Sequence, residues 1–488
     1  MRVSTRVLSI LSVNIPKFKF RYKSQCGVNQ SVRPLCRSSM CLQSALNRIN
    51  MAESVKITSP VFRSLFTPEL ESLASIFREY GYELRIAGGA VRDILMNIRP
   101  EDVDFATTAT PVDMKKMFDE KLIRMINAGG EKHGTVTARI NDKENFEVTT
   151  LRIDKTTDGR WAQVEFTTDW VLDARRRDLT INSMFLDLDG NLYDYFSGMQ
   201  DLMQHRIRFV DDPRKRIQED FLRILRYFRF YGRICPDADN HDSDTLEAIR
   251  ENADGLQRIS GERIWMELRK ILTGRHGNHL VSRMVDLGLT RYMGFPEKPN
   301  VEELFAVWKR CHEFQPKPAT ILASLLASQE EVEKLDERLR LSNEECATVL
   351  FIIDHRSNPD LLDYCRKYPD VNALVPYQHL VAETALTCKQ SDARSRCIEL
   401  LKYRGDGVLV QGMENWEIPP FPVKATMLIE KGHQGPIVGM ALDYLRREWI
   451  RSTFTKTVDD LLLNDLPKAM HQLEIQLAER PKNKKVKR

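Results

Sequence analysis

No Cys-x-x-Cys pair occurs anywhere in this chain of 488 residues. Its nine cysteines, Cys26, Cys36, Cys41, Cys235, Cys311, Cys346, Cys365, Cys388 and Cys397, are scattered. That spacing argues against a zinc site and fits free thiols in a reducing compartment. No apolar run approaches the roughly 20 residues needed to span a bilayer, so no membrane partner is expected. There is no internal repeat, and no low-complexity stretch outside the termini. Acid is absent from Met1–Asn50, which carries nine Lys and Arg, and from Arg480–Arg488, which carries six. Without those two segments 58 of the 73 basic residues remain against all 69 acidic ones, so the formal charge of +4 hides an acidic body. This is not a generally basic RNA-coating protein, and any nucleic-acid surface on it must be local.

The acid-free N-terminus is rich in Arg and Ser, and Val3, Val7, Ile10 and Leu11 share a helical face beside Arg2 and Arg6. Those are the properties of a mitochondrial transit peptide. Met51 stands where the acid-free stretch stops, and initiation there would give a second, non-mitochondrial product. At the other end, the run Lys482–Arg488 reads either as nuclear targeting or as a solvated tail.

Between these ends the pattern changes once. Leu70, Leu73, Ile76 and Phe77 predict an amphipathic helix over Leu65–Gly81, closed by Gly81. Strand Leu84–Ala87, helix Ala90–Met96 and strand Asp102–Ala106 follow. Thr135–Ile140 and Phe146–Leu151 read as strands joined by the polar turn Asn141–Asn145. Met184–Leu188 and Asn191–Asp194 form a hairpin around Asp189-Gly190. Beyond about Gln200 the chain is helical, interrupted at Thr273–Gly277, Phe295–Asn300 and Gly405–Phe421. The fold class is therefore α+β: a small mixed α/β head followed by an all-helical remainder.

The chemistry concentrates in one run, Gly88-Gly89-Ala90-Val91-Arg92-Asp93, followed by Asp102-Val103-Asp104. A glycine pair leading into a helix lets backbone N–H groups approach an anion, because no Cβ intervenes and a helix start leaves N–H groups unpaired. Side chains two apart on a strand share a face, so Asp102 and Asp104 point together while Val103 packs inward. Two convergent carboxylates beside a phosphate-cradling turn suit two-metal phosphoryl transfer.

Further motifs follow in order. GGAVRDIL…EDVDFAT resembles the signature of the class II tRNA nucleotidyltransferases, the CCA-adding enzymes of the DNA polymerase β superfamily. Arg176–Asn182 resembles that family's ribose-reading motif, and Asp189–Asp194 the one at its hinge between head and neck. Glu219–Arg226 resembles the motif that selects the incoming base, and Ser260–Ile264 the one that braces it. The resemblance implies a nucleotidyltransferase head, neck, body and tail arranged like a seahorse. It places targeting sequence at 1–50, head at 51–204, neck at 205–275, body at 276–400, a tRNA-binding tail at 401–478 and a basic end at 479–488. It implies template-independent addition of CCA to the 3′ end of tRNA from CTP and ATP, with Mg2+, in mitochondrial and nuclear–cytosolic forms.

On this reading Asp102 and Asp104 hold magnesium. Gly88 and Gly89 present amides to the triphosphate and Arg92 adds a charged fork, with Asp93 capping the helix or orienting Arg92. Glu147 is either a third metal-site carboxylate or a solvated strand residue. Arg176, Arg177, Asp178 and Asn182 would hydrogen-bond the ribose and require its 2′-OH. The helix after Pro213 carries an apolar stripe of Ile217, Phe221, Leu225 and Phe228, and sets Asp220 and Arg223 three apart on another face. Arg223 donates to cytosine O2 and N3 while Asp220 accepts from the amine, and adenine offers a similar edge. Glu219 orients Arg223, and Arg226 ends the same motif. His205–Arg233 holds nine Lys and Arg against four acids, a basic island suited to the acceptor end of tRNA. The segment Asp158-Gly159-Arg160 resembles the family's pocket-reshaping loop. The rival readings are a bacterial-type poly(A) polymerase, which shares head and neck, and a catalytically silent RNA-binding protein. A His-Asp phosphohydrolase site has only His241-Asp242, in a polar stretch, to support it.

Overall fold

The computed structural model describes residues 55–126, 128–156, 163–362 and 372–479. The targeting segment, Met51, the loop at Asp158–Arg160 and the basic C-terminal run lie outside these residues. The head is built on a seven-stranded sheet in the order β3-β4-β5-β2-β1-β8-β9. Its strands are β1 (Leu84–Ala87), β2 (Phe105–Thr107), β3 (Arg124–Ile126), β4 (Thr135–Ile140), β5 (Glu144–Thr150), β8 (Phe185–Asp187) and β9 (Leu192–Tyr193). Only β2 and β5 run parallel; every other neighbour pair is antiparallel. A separate hairpin, β6 (Arg152–Thr156) with β7 (Gln163–Phe166), stands beside it.

The sheet has two unequal faces because side chains alternate along each strand. One face carries Ile86, Phe105, Val136, Ala138 and Val148 into a core with Leu70, Leu73, Val91, Ile94, Met114 and Phe118 from three helices. Those helices are Pro68–Glu79, Gly89–Leu95 and Pro111–Glu120. Thr67 caps the first through the Leu70 N–H at 3.1 Å, and Thr110 and Asp113 close a capping box on the third. The other face carries only a small cluster, Ala87, Ala106, Leu151, Trp170, Ala174 and Phe185. The side chains that the sequence singles out at Asp102 and Asp104 continue this thinly covered face.

A second core begins within the last part of the head at Leu179 and continues to Met413. A third core forms around Val423, Leu428, Leu445, Trp449 and Leu473 near the C-terminus. The expected head strands and the hairpin at Asp189-Gly190 are present, with ends shifted by a residue or two. Two expectations change. The interruption expected at Gly405–Phe421 contains a helix, Gly407–Glu414, capped by Asp406 and seated by buried Val410 and Met413. The strand expected at Asp102–Ala106 starts only at Phe105. Among the described residues Cys235, Cys311, Cys346, Cys388 and Cys397 are free thiols, and no helix is long and apolar enough to cross a membrane.

Separate cores should lose stability separately. Leu73→Ala, at a site fully buried in the head, should cost about 2–5 kcal/mol in the head's unfolding transition. Leu445→Ala should lower the C-terminal transition instead, which chemical denaturation followed by hydrogen exchange would resolve.

Candidate active site

Asp102 and Asp104 leave the chain just before β2, on the face that Ala106 continues. The Ala87 N–H donates to the Asp104 carbonyl at 2.9 Å, so this segment extends the ladder with β1 although it is not regular strand. Val103 packs against the head core as its alternation predicts, and both carboxylates stay open to solvent. Partial enclosure by protein pushes the Asp104 carboxyl above its usual range, Asp102's negative charge adds to that, and Arg177 pulls it back. Like charges held together with hard oxygen donors fit a divalent cation, and its charge would relieve their repulsion. Phe105 pairs with Val148 in parallel register, so Glu147 lies one position along β5, next to Asp104 and on the same exposed face. Yet among the described residues no three His, Cys, Asp or Glu side chains gather into a metal-binding group. Two carboxylates with substrate phosphates and water are a usual set for Mg2+.

Gly88 turns the chain from β1 into the helix Gly89–Leu95 with φ 65° and ψ −120°, a region glycine alone adopts freely. A Cβ there would also lie 2.8 Å from Arg177 Nη1. The Gly88 N–H donates to the Met184 carbonyl at 3.0 Å, so it is not available to an anion. Gly89 supplies the first amide of the helix. Arg177 therefore lies across the glycine turn and close to Asp104, partly exposed, where it can reach a triphosphate.

Several residues expected to touch substrate are buried and bonded to other protein groups. Arg92 is buried, which pushes its guanidinium below its usual range. It donates to Asp93 from Nε and Nη2 at 3.0 and 2.9 Å, and to Asn182 Oδ1 at 2.5 Å. It is not a free fork for phosphate. Asp93 also receives Arg233 Nη2 at 3.0 Å on both oxygens. Asn182 and Asp178 are buried too, and Asp178 accepts from Arg226 Nε at 2.6 Å and from Asn182 at 3.4 Å. Burial would raise the Asp178 carboxyl, but the Arg226 charge and hydrogen bond outweigh it and hold it low. The physical reason is common to all of them: charge taken out of water needs a partner inside the protein. Arg176 and Arg177 share the buried carboxylate of Asp173, at 2.8 and 3.0 Å. Sequence reasoning missed Asp173, although it stands three and four residues before the two arginines, which follow directly on the end of its helix Trp170–Arg175.

The segment Glu219–Arg226 is not one helix. A helix over Pro213–Glu219 ends at Asp220, which is extended (φ −152°, ψ 106°), and a second runs Leu222–Ile234. Asp220 Oδ1 caps the second helix through the Leu222 N–H at 3.1 Å, and Oδ2 accepts from Arg263 at 2.9 Å. Arg223 is buried and held by Glu219 Oε2 at 2.6 Å and by the carbonyls of Arg216 and Arg176 at 2.9 and 2.8 Å. Those contacts leave its Nε–H and one Nη2–H, and Asp220 retains lone pairs on both oxygens.

The basic island is largely neutralised from within. Arg206 and Arg208 pair with buried Asp201, Arg214 with Asp244 and Glu251, and Arg216 with Glu219. Arg229 pairs with Glu267, and Arg233 with Asp93. Of the nine, Lys215 is the one with no such partner among the described residues. His241 is not part of a hydrolytic pair. It stacks on Tyr231 at 3.8 Å and meets Tyr227 Oη at 2.9 Å, and burial pushes it down to about 4. Its neighbour Asp242 caps the helix Ser243–Glu251.

Because the Asp178 carboxyl is lowered in the fold, its contribution is complete above the unfolded value of about 4 and disappears as pH falls through the native value. Asp178→Asn should cost at least about 2 kcal/mol at neutral pH. Denaturant titrations at several pH values should show that gap closing below about pH 4.

Comparison with known proteins agrees with this architecture. The family described as "Poly A polymerase head domain" matches residues 84–208. The family described as "Probable RNA and SrmB-binding site of polymerase A" matches residues 241–298. The chain is 53% identical over 410 residues to the mitochondrial CCA tRNA nucleotidyltransferase 1 of Mus musculus, covering 84% of this chain and 92% of that one. Against the Homo sapiens protein of the same name it is 52% identical over the same shares. The fold is also that of the Bacillus stearothermophilus CCA-adding enzyme in complex with CTP, with a TM-score of 0.62 at 24% identity over 87% of this chain and all of that one. A Thermotoga maritima CCA-adding enzyme complexed with tRNA aligns over 85% of this chain and 98% of that one, at 18% identity and a TM-score of 0.55. With more than half of the aligned residues identical across nearly the full length of these mammalian enzymes, the chain belongs to the family of CCA tRNA nucleotidyltransferases.

Proposed function

We propose that this enzyme adds CCA to the 3′ end of tRNA from CTP and ATP, choosing each nucleotide by protein contacts rather than a template. The observation that carries the reading is the pairing of open Asp102 and Asp104 beside the glycine turn with an Asp220/Arg223 pair held in fixed geometry. Magnesium held by Asp102 and Asp104 would favour ionisation of the primer 3′-hydroxyl and neutralise charge on the triphosphate. Arg177 and the Gly89 amide would steady the triphosphate from the opposite side. Arg223's remaining donors fit the O2 and N3 acceptors of cytosine, and Asp220 fits its exocyclic amine. Uracil and guanine present the opposite pattern and would leave these groups unpaired, at about 1–3 kcal/mol each. Arg176, with Asp178 and Asn182 behind it, is read as shaping the ribose side of the pocket.

Mitochondrial targeting is read from the acid-free N-terminus, and a second nuclear–cytosolic product from Met51. The mouse, human and Danio rerio relatives are all named mitochondrial. The 401–478 segment is assigned to tRNA binding on the family's pattern.

The test is incubation of the chain from Met51 with a tRNA transcript lacking its 3′ end, in magnesium. Two C residues from CTP alone and a terminal A only when ATP is added are expected, and Asp102→Ala should abolish both. Long A tracts from ATP alone would instead indicate a poly(A) polymerase.

A further inference from the structure

The kink at Asp220 needs something to hold it, since a chain leaving one helix for another has many ways to turn. Phe221 supplies the wedge. Its ring lies directly on the bare Cα of Gly255: a Cβ built there would stand 1.9 Å from Phe221 Cδ1, 2.1 Å from Cε1 and 2.3 Å from Cγ. Gly255 is buried in the two-turn 3-10 helix Ala253–Arg258. Glycine is needed there for the close approach of the ring, not for a left-handed backbone. On its open side the ring is covered by the Arg258 guanidinium, 5.4 Å from the centroid.

The Gly255 turn cannot easily withdraw. Arg338, from the helix Gln329–Leu339, donates through Nη2 to the carbonyls of Leu256 and Ile259 at 2.9 and 3.0 Å, and through Nε to Tyr292 at 3.2 Å. On the other flank Asn252 is buried, bonded to Ala248, and accepts from Gln218 of the first motif helix at 3.0 Å. So the turn is pinned on both sides, and Phe221 is pinned against it. Asp220 is the preceding residue, and its carbonyl receives the Arg223 N–H at 3.0 Å. With the ring wedged against the pinned turn, displacing Phe221 bears on the adjoining peptide that aims the Asp220 carboxylate.

We infer that the Gly255–Phe221 contact sets the position of the Asp220 carboxylate, making Gly255 a specificity-determining positioning residue held in place by Arg338. The inference rests on Asp220 and Arg223 reading the base. Gly255 touches no substrate. It acts by size alone, so its effect must be reversible by removing bulk from its partner.

The experiment measures single-nucleotide extension of a tRNA transcript lacking CCA, comparing kcat/KM for CTP and UTP in the full chain from Met51. Gly255→Ala should reduce discrimination against UTP by about tenfold, the scale of one misaligned charged hydrogen bond, chiefly through the KM for CTP. The double variant Gly255→Ala/Phe221→Leu should recover most of that loss. Parent-like discrimination in a folded Gly255→Ala, or a double variant no better than the single one, would overturn the inference. Should Gly255→Ala fail to fold, Phe221→Leu alone decides: it removes the wedge and should lower discrimination, whereas an unchanged ratio would overturn the proposal. Asp220→Ala is run alongside. If it leaves the CTP/UTP ratio unchanged, the base-reading assignment itself fails, independently of what Gly255 does.

Discussion

Charge buried at the junction between the head and the long Leu222–Ile234 helix has to be paired, and the pairing joins them. Asp93 takes Arg92 and Arg233, Arg92 reaches on to Asn182, Asn182 to Asp178, and Asp178 to Arg226. Arg92, Asp93, Asn182 and Asp178 are buried, with Arg226 half-buried and Arg233 exposed at the two ends, and leaving a buried member without its partner costs more than an ordinary hydrogen bond contributes. The run threads the glycine-turn helix, the Arg176–Asn182 motif and the helix that follows Asp220. It makes a rigid seat out of residues that a motif reading assigns to substrate.

On the proposed reading, contact with substrate falls to the groups outside that chain. Asp102 and Asp104 stay open, Arg177 lies over the glycine turn, and Asp220 and Arg223 keep bonding capacity after their internal contacts are counted. The same economy applies to the basic island, whose arginines face acids of the protein itself. Charge density in sequence is thus a poor guide to an RNA surface here, because acids distant in sequence return to the same place in space.

The head was legible because its signals are local. Alternation in Thr135–Ile140, the polar turn after it and the Asp189-Gly190 hairpin need no knowledge of tertiary packing. The motif residues were legible as a set, and Glu219 does pair with Arg223 as expected, although the helix breaks between them. What could not be read was which of them lie inside. Arg92 and Asp178 look like any charged residue in the sequence, and only long-range contacts decide their burial. The break at Asp220 was hidden for a related reason: the apolar spacing of Ile217, Phe221 and Leu225 passes through it, yet Phe221 turns toward Gly255, 34 positions away. The helix Gly407–Glu414 escaped notice because glycine at both Gly407 and Gly412 masked the Asp406 cap.

The central claim is that the buried charges act as one unit although its ends do not touch. A double-mutant cycle of Asp93→Asn and Asp178→Asn, followed by denaturant unfolding, tests it most directly. The account predicts a coupling energy well above about 0.5 kcal/mol, because the two carboxylates share the Arg92–Asn182 link. Strict additivity of the two single losses would contradict it, and would reduce the chain to separate, independent pairs.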